Sequence, residues 1–204
     1  MNPQQFIDII APIAVLLRKE GSPIFPSVRI AQAALETGWK IPDSNNLVGR
    51  KIGNGQTNPY WHGRYIMKDT WEMYDDKRTN IGAAFRVYDT IEDCFRDQDL
   101  LFDTERFKQV KEATTPEDQA VALYKSGYAT DPAYHQKIIN LIRNFNLKEY
   151  DKRSEDYMLK VEDANKIIDF LKAGWKVTEQ YPEARKEFNR LANELRKASG
   201  QEPQ

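Results

Sequence analysis

The sequence contains few of the residues on which redox and metal chemistry depend. Its 204 residues include a single cysteine, Cys94, so no disulfide can form within the chain. Cys94 falls on the apolar stripe of a predicted helix, which favours a small buried hydrophobe over a nucleophile. Two histidines, His62 and His135, cannot complete an ordinary zinc site with one cysteine unless carboxylates supply the other ligands. We therefore expect neither a metal nor a cofactor in the mechanism.

The sequence also lacks an excess of charge, a long apolar run and a signal peptide. Its 30 Lys and Arg residues nearly balance 31 Asp and Glu residues, which removes the usual electrostatic basis for binding nucleic acid. The apolar stretch 9–17 contains Pro12 and is too short to span a bilayer. The first residues carry no basic segment followed by an apolar segment and a cleavage site. We expect a soluble protein, made in the cytoplasm and without stable membrane insertion.

Most of the chain has the apolar periodicity and the terminal residues of α-helices. Asn2 and Gln5 predict a capping box at the start of a first helix. A second helix is predicted from Pro26 to Glu36, followed by a terminating Gly38. Three further helices are predicted to begin at Thr90, at Thr115-Pro116 and at Asp131-Pro132.

The middle of the chain has a different composition. Residues 40–63 are rich in Asn, Gly, Pro and Asp, which is typical of a loop. The aromatic-rich segments 65–74 and 84–88 predict two strands, and residues 75–80 between them predict a turn. This part of the chain is therefore expected to form one small β-hairpin.

A charged run divides the sequence into two parts. Residues 148–156 have little apolar content and are interpreted as a linker. Beyond it, two amphipathic segments predict a helical hairpin over residues 151–204, too small to bury a comfortable core alone. The prediction is an α+β, mostly α, domain over residues 1–150, followed by this C-terminal hairpin.

Glu36 is the first candidate for chemistry. It is placed near the end of the second helix, beside Trp39. A carboxyl group against an aromatic wall loses solvation, which raises its pKa and suits it to act as a general acid near neutral pH. On spacing alone, an ordinary solvated helix residue explains Glu36 better, because the chain has 31 acidic residues.

A second carboxylate is usually needed for glycoside hydrolysis. The hairpin region offers several, namely Asp69, Glu72, Asp75 and Asp76. Glu72 lies among aromatic residues, Trp71 and Tyr74, which would suit a carboxylate facing a sugar cleft. Spacing alone again favours a solvent-facing strand residue.

Five short motifs, in order, carry a resemblance to a known family. They are residues 31–39 (Ala-Gln-Ala-Ala-Leu-Glu-Thr-Gly-Trp), Asn46-Leu47-Val48-Gly49, Thr70-Trp71-Glu72, Phe85-Arg86-Val87-Tyr88, and residues 127–134 (Gly-Tyr-Ala-Thr-Asp-Pro-Ala-Tyr). Together they resemble the glucosaminidase domain of glycoside hydrolase family 73, over about residues 5 to 147. One departure is Val48, where the family usually has Phe.

The resemblance implies a lysozyme-like fold that hydrolyses the β-1,4 bond after N-acetylglucosamine in peptidoglycan. It makes Glu36 the general acid and Tyr128 an active-site residue that orients the substrate N-acetyl group or stabilises charge. Glu72 would activate water as a base or stabilise developing positive charge; alternatively, the N-acetyl group would itself be the nucleophile. The further residues expected to bind substrate are Trp39, Asn46, Trp71, Tyr74, Thr130 and Asp131.

The resemblance leaves the biological role and two alternatives open. The apparent lack of a signal peptide resembles a phage endolysin, which acts on the wall after release by a separate membrane-pore protein. The C-terminal hairpin would then target the wall, self-associate or brace the catalytic domain. A muramidase or a lytic transglycosylase shares the fold and the essential Glu. A non-catalytic wall-binding or phage structural protein is the alternative from another class.

Overall fold

The computed structural model describes residues 1–74, 77–155, 161–199 and 201–203, apart from the side chains of residues 69–74, 77–81 and 153–155. The chain divides into two compact units, Met1–Ser154 and Glu155–Gln204. The elements of the first unit are α1 (Pro3–Lys19), α2 (Pro26–Thr37), β1 (Tyr65–Tyr74), β2 (Lys77–Arg86), α3 (Ile91–Phe102), a 3-10 turn (Glu105–Phe107), α4 (Lys108–Lys111), α5 (Pro116–Lys125), α6 (Tyr134–Asn144) and α7 (Lys148–Glu155). Those of the second are α8 (Val161–Val177) and α9 (Pro182–Ala198). The expected α+β, mostly α, class is confirmed.

Local capping signals place most helix starts where the sequence predicts them. The Asn2 side chain accepts from the Gln5 backbone N–H at 2.9 Å, and the Gln5 side chain accepts from the Asn2 N–H at 3.0 Å. Thr90 and Thr115 each accept from the backbone N–H three residues later, at the starts of α3 and α5. Each bond satisfies a donor that the first helical turn leaves free.

The central element of the first unit is α2, which contacts α1, α5 and α6. Every residue from Pro26 to Ala34 is buried. Gly38 ends the helix in the left-handed conformation, with φ of 58°. Glu36 therefore lies in the last turn, where the helix emerges from the core.

The hairpin is longer than the sequence predicts. β1 and β2 pair antiparallel without interruption from Tyr65↔Arg86 to Tyr74↔Lys77. The expected strand start at residue 84 is wrong, and residues 77–80 of the expected turn belong to β2, because cross-strand hydrogen bonds extend the ladder through turn-like residues. Asp75 and Asp76, two of the candidate carboxylates, lie outside the described residues.

The charged run interpreted as a linker is helical, because residues 148–155 form α7, and the boundary between the two units falls within it, after Ser154. Lys, Glu and Arg are good helix formers, so a charged run alone does not indicate an open linker. Asp151 in α7 accepts a 2.8 Å hydrogen bond from the backbone N–H of Ser27, at the second position of α2. A carboxylate at this end satisfies a free donor and complements the helix dipole. Thus α7 caps the helix that carries Glu36.

The second unit is a pair of helices in contact, α8 and α9. Gly174 of α8 lies so close to the Phe188 ring of α9 that a Cβ there would approach it to 2.9 Å. Several large apolar side chains remain exposed, with Phe170 at 80% and Val177 at 78%. That this segment targets the wall or self-associates stays a prediction.

The described residues contain neither a membrane-spanning helix nor a metal-binding cluster. No helix among them is both long and apolar enough to cross a membrane. Within the same residues, no three His, Cys, Asp or Glu side chains are grouped to hold a metal ion. Cys94 is buried and unpaired as a thiol.

Candidate active site

A cleft of about 1750 Å³ opens beside the end of α2 in the first unit. Its walls are the end of α2, the loop that follows, the base of the hairpin and the segment between α5 and α6. The residues that line it are Leu35, Glu36, Thr37, Lys40, Ile41, Pro42, Asp43, Ser44, Asn46, Val48, Gly49, Arg50, Lys51, Ile66, Lys68, Phe85, Leu101, Arg106, Phe107, Gly127, Tyr128, Ala129, Thr130, Asp131, Tyr134 and Lys137. The cleft thus brings together five sequence-predicted site residues: Glu36, Asn46, Tyr128, Thr130 and Asp131.

The two oxygens of Glu36 have different surroundings. Oε1 accepts a 3.0 Å hydrogen bond from the Tyr134 hydroxyl. Oε2 lies toward Gly49, 3.9 Å from where a Cβ on that residue would stand. Although Glu36 keeps access to solvent through the cleft, the surrounding protein removes much of its water. Burial raises the pKa of the Glu36 carboxyl, and the hydrogen bond from Tyr134 opposes part of this rise.

Asn46 organises the loop that brings Gly49 to Glu36. Its Nδ2 donates to the carbonyls of Arg50 and Arg86, at 2.8 and 2.9 Å, and its Oδ1 accepts from the Arg50 N–H at 2.9 Å. Gly49 has φ of 65°, a conformation that favours glycine. Because both amide hydrogens of Asn46 are engaged within the protein, its geometry fits a positioning residue better than a substrate contact.

Asn46→Ala is expected to lower the free energy of unfolding by about 2 kcal/mol, because buried backbone groups lose their partners. Displacement of Gly49 should also lower kcat with little change in KM. Urea denaturation and steady-state kinetics measure the two effects, with Asn140→Ala on the exposed face of α6 as control. A large rise in KM with unchanged stability would instead identify Asn46 as a substrate contact.

Tyr128 lines the cleft together with Glu36 and is held at its hydroxyl. The hydroxyl accepts from the Gln98 side chain at 3.1 Å and donates to the Val48 carbonyl at 3.2 Å. Burial, followed by the nearby Glu36 charge, raises the pKa of Tyr128. The hydroxyl therefore stays protonated, with its proton directed at a backbone carbonyl.

Trp39 does not line the cleft. It has φ of 64° and its ring packs against Phe6 and Phe145, at centroid distances of 5.7 and 4.6 Å. The aromatic wall expected beside Glu36 is instead formed by Tyr128 and Tyr134, whose rings are 6.1 Å apart.

Asp131 and Thr130, two further cleft residues from the last motif, differ in how far their side chains are already hydrogen-bonded within the protein. Asp131 accepts from the Ala133 N–H at 2.9 Å and pairs with Lys137 at 2.6 Å. The hydrogen bond from Lys137 lowers the pKa of Asp131. Thr130 is exposed in the cleft. Of these two, Thr130 has the side chain more open to a ligand.

Three hairpin candidates are described only through their backbone. Trp71, Glu72 and Tyr74 lie in β1, with Glu72 paired to Thr79 of β2. Their side chains lie outside the described residues, so their part in the site stays a prediction.

The base of the hairpin is joined to the core by Asp97 of α3. Its carboxylate, fully buried, accepts two hydrogen bonds from Arg86 at 2.9 and 3.0 Å and one from the Tyr88 hydroxyl. Asn58 donates to it at 2.6 Å. Arg86 and Tyr88 are the polar members of the Phe-Arg-x-Tyr motif, so these two residues fix the hairpin, whereas Phe85 of the same motif lines the cleft.

Three buried polar residues of the site were not predicted. Tyr134 belongs to the last motif but was given no role, and it donates to Glu36 across 98 positions of sequence. Gln32 and Gln98 are fully buried in α2 and α3 and connect to the two tyrosines. The sequence does carry a sign of a buried polar contact at Gln32, because this glutamine stands between Ala31 and Ala33 in an otherwise apolar run.

The chain matches a known protein family over more than half of its length. The family model Glucosaminidase, described as mannosyl-glycoprotein endo-beta-N-acetylglucosaminidase, matches residues 12–147. The chain is 36% identical to exo-glucosaminidase LytG of Bacillus subtilis, over 81% of this chain and 58% of LytG. It is 29% identical to the peptidoglycan hydrolase FlgJ of Vibrio parahaemolyticus, over 69% of this chain and 46% of FlgJ. The chain thus spans only about half the length of these relatives.

A solved structure also matches most of the chain. The catalytic domain of the autolysin Auto from Listeria monocytogenes superposes with a TM-score of 0.60 at 32% identity. The match covers 72% of this chain and 86% of that domain. The architecture is therefore shared with a solved catalytic domain over nearly its full length.

Proposed function

The chain belongs to the glucosaminidase family of glycoside hydrolases, as its motifs indicated, and on that premise we propose that it hydrolyses the β-1,4 bond after N-acetylglucosamine in peptidoglycan. The observation that carries the proposal is the asymmetric environment of Glu36. One oxygen is held by Tyr134, and the other lies toward Gly49 at the cleft. An acid that must deliver a proton to a bound sugar needs one oxygen fixed and the other accessible.

In this mechanism, protonated Glu36 donates to the glycosidic oxygen as the bond to the sugar breaks. Burial keeps its proton bound at a higher pH than an ordinary carboxyl would allow. When the proton leaves, the hydroxyl of Tyr134 donates to an ionised carboxylate and its hydrogen bond becomes stronger. That interaction favours the transition state over the ground state.

The proposal keeps three alternatives for Glu72. It acts as a base that activates water, it stabilises developing positive charge, or it takes no part in bond formation because the N-acetyl group of the substrate is the nucleophile. Tyr128, with its hydroxyl proton committed to Val48, would serve by contact and orientation. Its raised pKa makes a tyrosinate nucleophile unfavourable.

The charge around the cleft supports a substrate that carries carboxylates. Although the chain has a formal net charge of −1, six cationic side chains line the described part of the cleft. They are Lys40, Arg50, Lys51, Lys68, Arg106 and Lys137. Peptidoglycan carries acidic stem peptides on its glycan strands, and a cleft lined by cations attracts such a polymer.

Digestion of purified peptidoglycan tests the bond. After borohydride reduction, mass spectrometry should find new reduced N-acetylglucosamine ends, and an internal mode of cleavage should release fragments of many lengths. Release of monosaccharides or disaccharides alone would indicate cleavage from chain ends. Muramic or anhydromuramic ends would replace the proposal with a muramidase or a lytic transglycosylase. No new ends, beside an active control enzyme, would favour a wall-binding protein.

The narrower role of a phage endolysin, made in a host cytoplasm and acting on the wall after release, is a further part of the proposal. Its only support is the sequence, and LytG and FlgJ are bacterial proteins. Induced expression inside a bacterium, with and without a co-expressed pore protein, tests the role. Lysis only in the presence of the pore is the expected result, and lysis equally without it would contradict the role.

A further inference from the structure

A continuous buried line of hydrogen bonds leads from Arg29 of α2 to Glu36. Arg29 donates to Gln98 Oε1 at 3.0 Å, and Gln98 Nε2 donates to Gln32 Oε1 at 2.8 Å. Gln32 Nε2 then donates to the Tyr134 hydroxyl at 3.0 Å, and that hydroxyl donates to Glu36 Oε1. Arg29, Gln98 and Gln32 are fully buried, and none of the three lines the cleft.

The direction of every bond in this line follows from the first. A guanidinium has only donors, so Gln98 must turn its carbonyl oxygen toward Arg29 and its amide hydrogens away. Those hydrogens require the carbonyl oxygen of Gln32, which leaves the Gln32 amide to donate to Tyr134. Because the Gln32 amide offers the Tyr134 hydroxyl only a donor, Glu36 is the acceptor to which the hydroxyl proton is directed. Arg29 is itself held by an ion pair with Asp99 and by Ser22 Oγ at 2.7 Å.

We propose that Arg29, Gln98 and Gln32 form a positioning relay that assigns the acid proton to one oxygen of Glu36. Because Oε1 accepts the hydrogen bond from the Tyr134 hydroxyl, the proton of the neutral carboxyl is placed on Oε2, toward Gly49 and the cleft. With the opposite polarity, Tyr134 would accept from Oε1, and the acid proton would point into the protein. The inference rests on the proposed function, which makes Glu36 the acid.

Other titratable groups share the cleft with Glu36. They are Lys40, Asp43, Arg50, Lys51, Lys68, Arg106, Tyr128, Asp131, Tyr134 and Lys137. A change in Gln32 removes none of these groups and reaches Glu36 through Tyr134, whereas Gln98 also donates to the Tyr128 hydroxyl at 3.1 Å.

The first test replaces Gln32 by Met, which removes the donor to Tyr134 while nearly keeping the side-chain volume. Without this donor, the direction of the Tyr134 hydroxyl is no longer fixed, and Tyr134 can accept from protonated Glu36. We expect kcat to fall about tenfold with little change in KM. The alkaline limb of the pH–rate profile should move up by about one pH unit, because the carboxylate loses part of its hydrogen bond.

Tyr134→Phe supplies the comparison that a merely structural role of Gln32 would fail. If Gln32 acts through Tyr134, the double variant should have the pH profile of Tyr134→Phe alone. Additive shifts in the double variant would overturn the relay. Gln98→Met, one step farther away, should move the profile in the same direction as Gln32→Met. Because Gln98 also donates to the Tyr128 hydroxyl, the shift should persist when Gln98→Met is made in a Tyr128→Phe background. This pair provides the test should Gln32→Met not fold.

Gln119→Met is the matched control, because Gln119 is another fully buried glutamine with three hydrogen bonds, to Phe25, Pro23 and Val110. It should lose stability without a shift in the pH profile. Equal shifts in Gln119→Met and Gln32→Met would contradict the relay.

A titration without substrate separates the relay from the proposed function. In protein labelled with ¹³C at glutamate carboxyls, the Glu36 resonance is identified by its loss in Glu36→Gln. A higher Glu36 pKa in Gln32→Met and no further rise in the double variant would support the relay, even if the cleaved bond proves different. An unchanged Glu36 pKa in a folded, active Gln32→Met variant would overturn the relay and leave the proposed function standing.

Discussion

Glu36→Gln should lower kcat by about a thousandfold while leaving the fold intact. The amide keeps an oxygen that can accept from Tyr134, but its nitrogen has no acidic proton to give to the leaving sugar. Release of new reducing ends from peptidoglycan measures the loss. Glu112→Gln, an exposed glutamate outside the cleft, is the control and should retain full activity.

Glu36→Gln should also change how the stability of the protein depends on pH. Because the folded-state pKa of Glu36 is raised, the stability of the wild type relative to Glu36→Gln falls as the pH rises through that pKa. The variant should therefore be the more stable protein at neutral pH, and the difference should fade below the ordinary pKa of a carboxyl. Substantial hydrolysis by Glu36→Gln would refute the assignment of the acid, and a loss of stability at neutral pH would refute the desolvation.

Asp97→Ala should be strongly destabilising, with a loss of about 3–5 kcal/mol in unfolding free energy. The substitution leaves Arg86 charged and buried, and it removes the acceptor of Tyr88 and Asn58. Urea denaturation followed by circular dichroism measures the loss. Since the hairpin base and the loop before it meet at Asp97, activity should fall with stability.

An exposed ion pair of the same chemistry gives the control. Arg64 and Asp89 are both more than half exposed, so Asp89→Ala should cost about 1 kcal/mol or less. Comparable losses in the two variants would show that Asp97 is replaceable and that the hairpin is held by other contacts.

Local signals account for most of what the sequence predicted about the fold. The capping residues Asn2, Thr90 and Thr115 act on N–H groups a few positions away, so their helix starts could be placed without knowledge of the rest. The second strand and α7 could not be placed this way. The strand depends on pairing with β1, and residues 148–155 are ordered together with a distant partner, Ser27.

The candidate site likewise contains residues that local sequence motifs predicted and residues that only the packing of the helices reveals. Glu36 and Tyr128 came from the motifs, and the structure brings both to one cleft. Trp39 was placed beside Glu36 because it is near in sequence, but the chain turns after α2 and directs its ring to Phe6 and Phe145. Tyr134 and Gln98 act on Glu36 and Tyr128 only once α2, α3 and α6 are packed together.

Because Asp151 caps α2, the position at which this chain is joined to another C-terminal domain affects the catalytic helix. The family match ends at residue 147, whereas the carboxylate that closes the amino end of the catalytic helix comes four positions later. A crossover that exchanged the C-terminal unit at the edge of sequence similarity would discard that carboxylate and leave the Ser27 N–H without it. The segment that must be kept together is therefore longer than the segment that matches the family. Exchange of the C-terminal unit keeps the cap of the catalytic helix when the junction falls beyond α7.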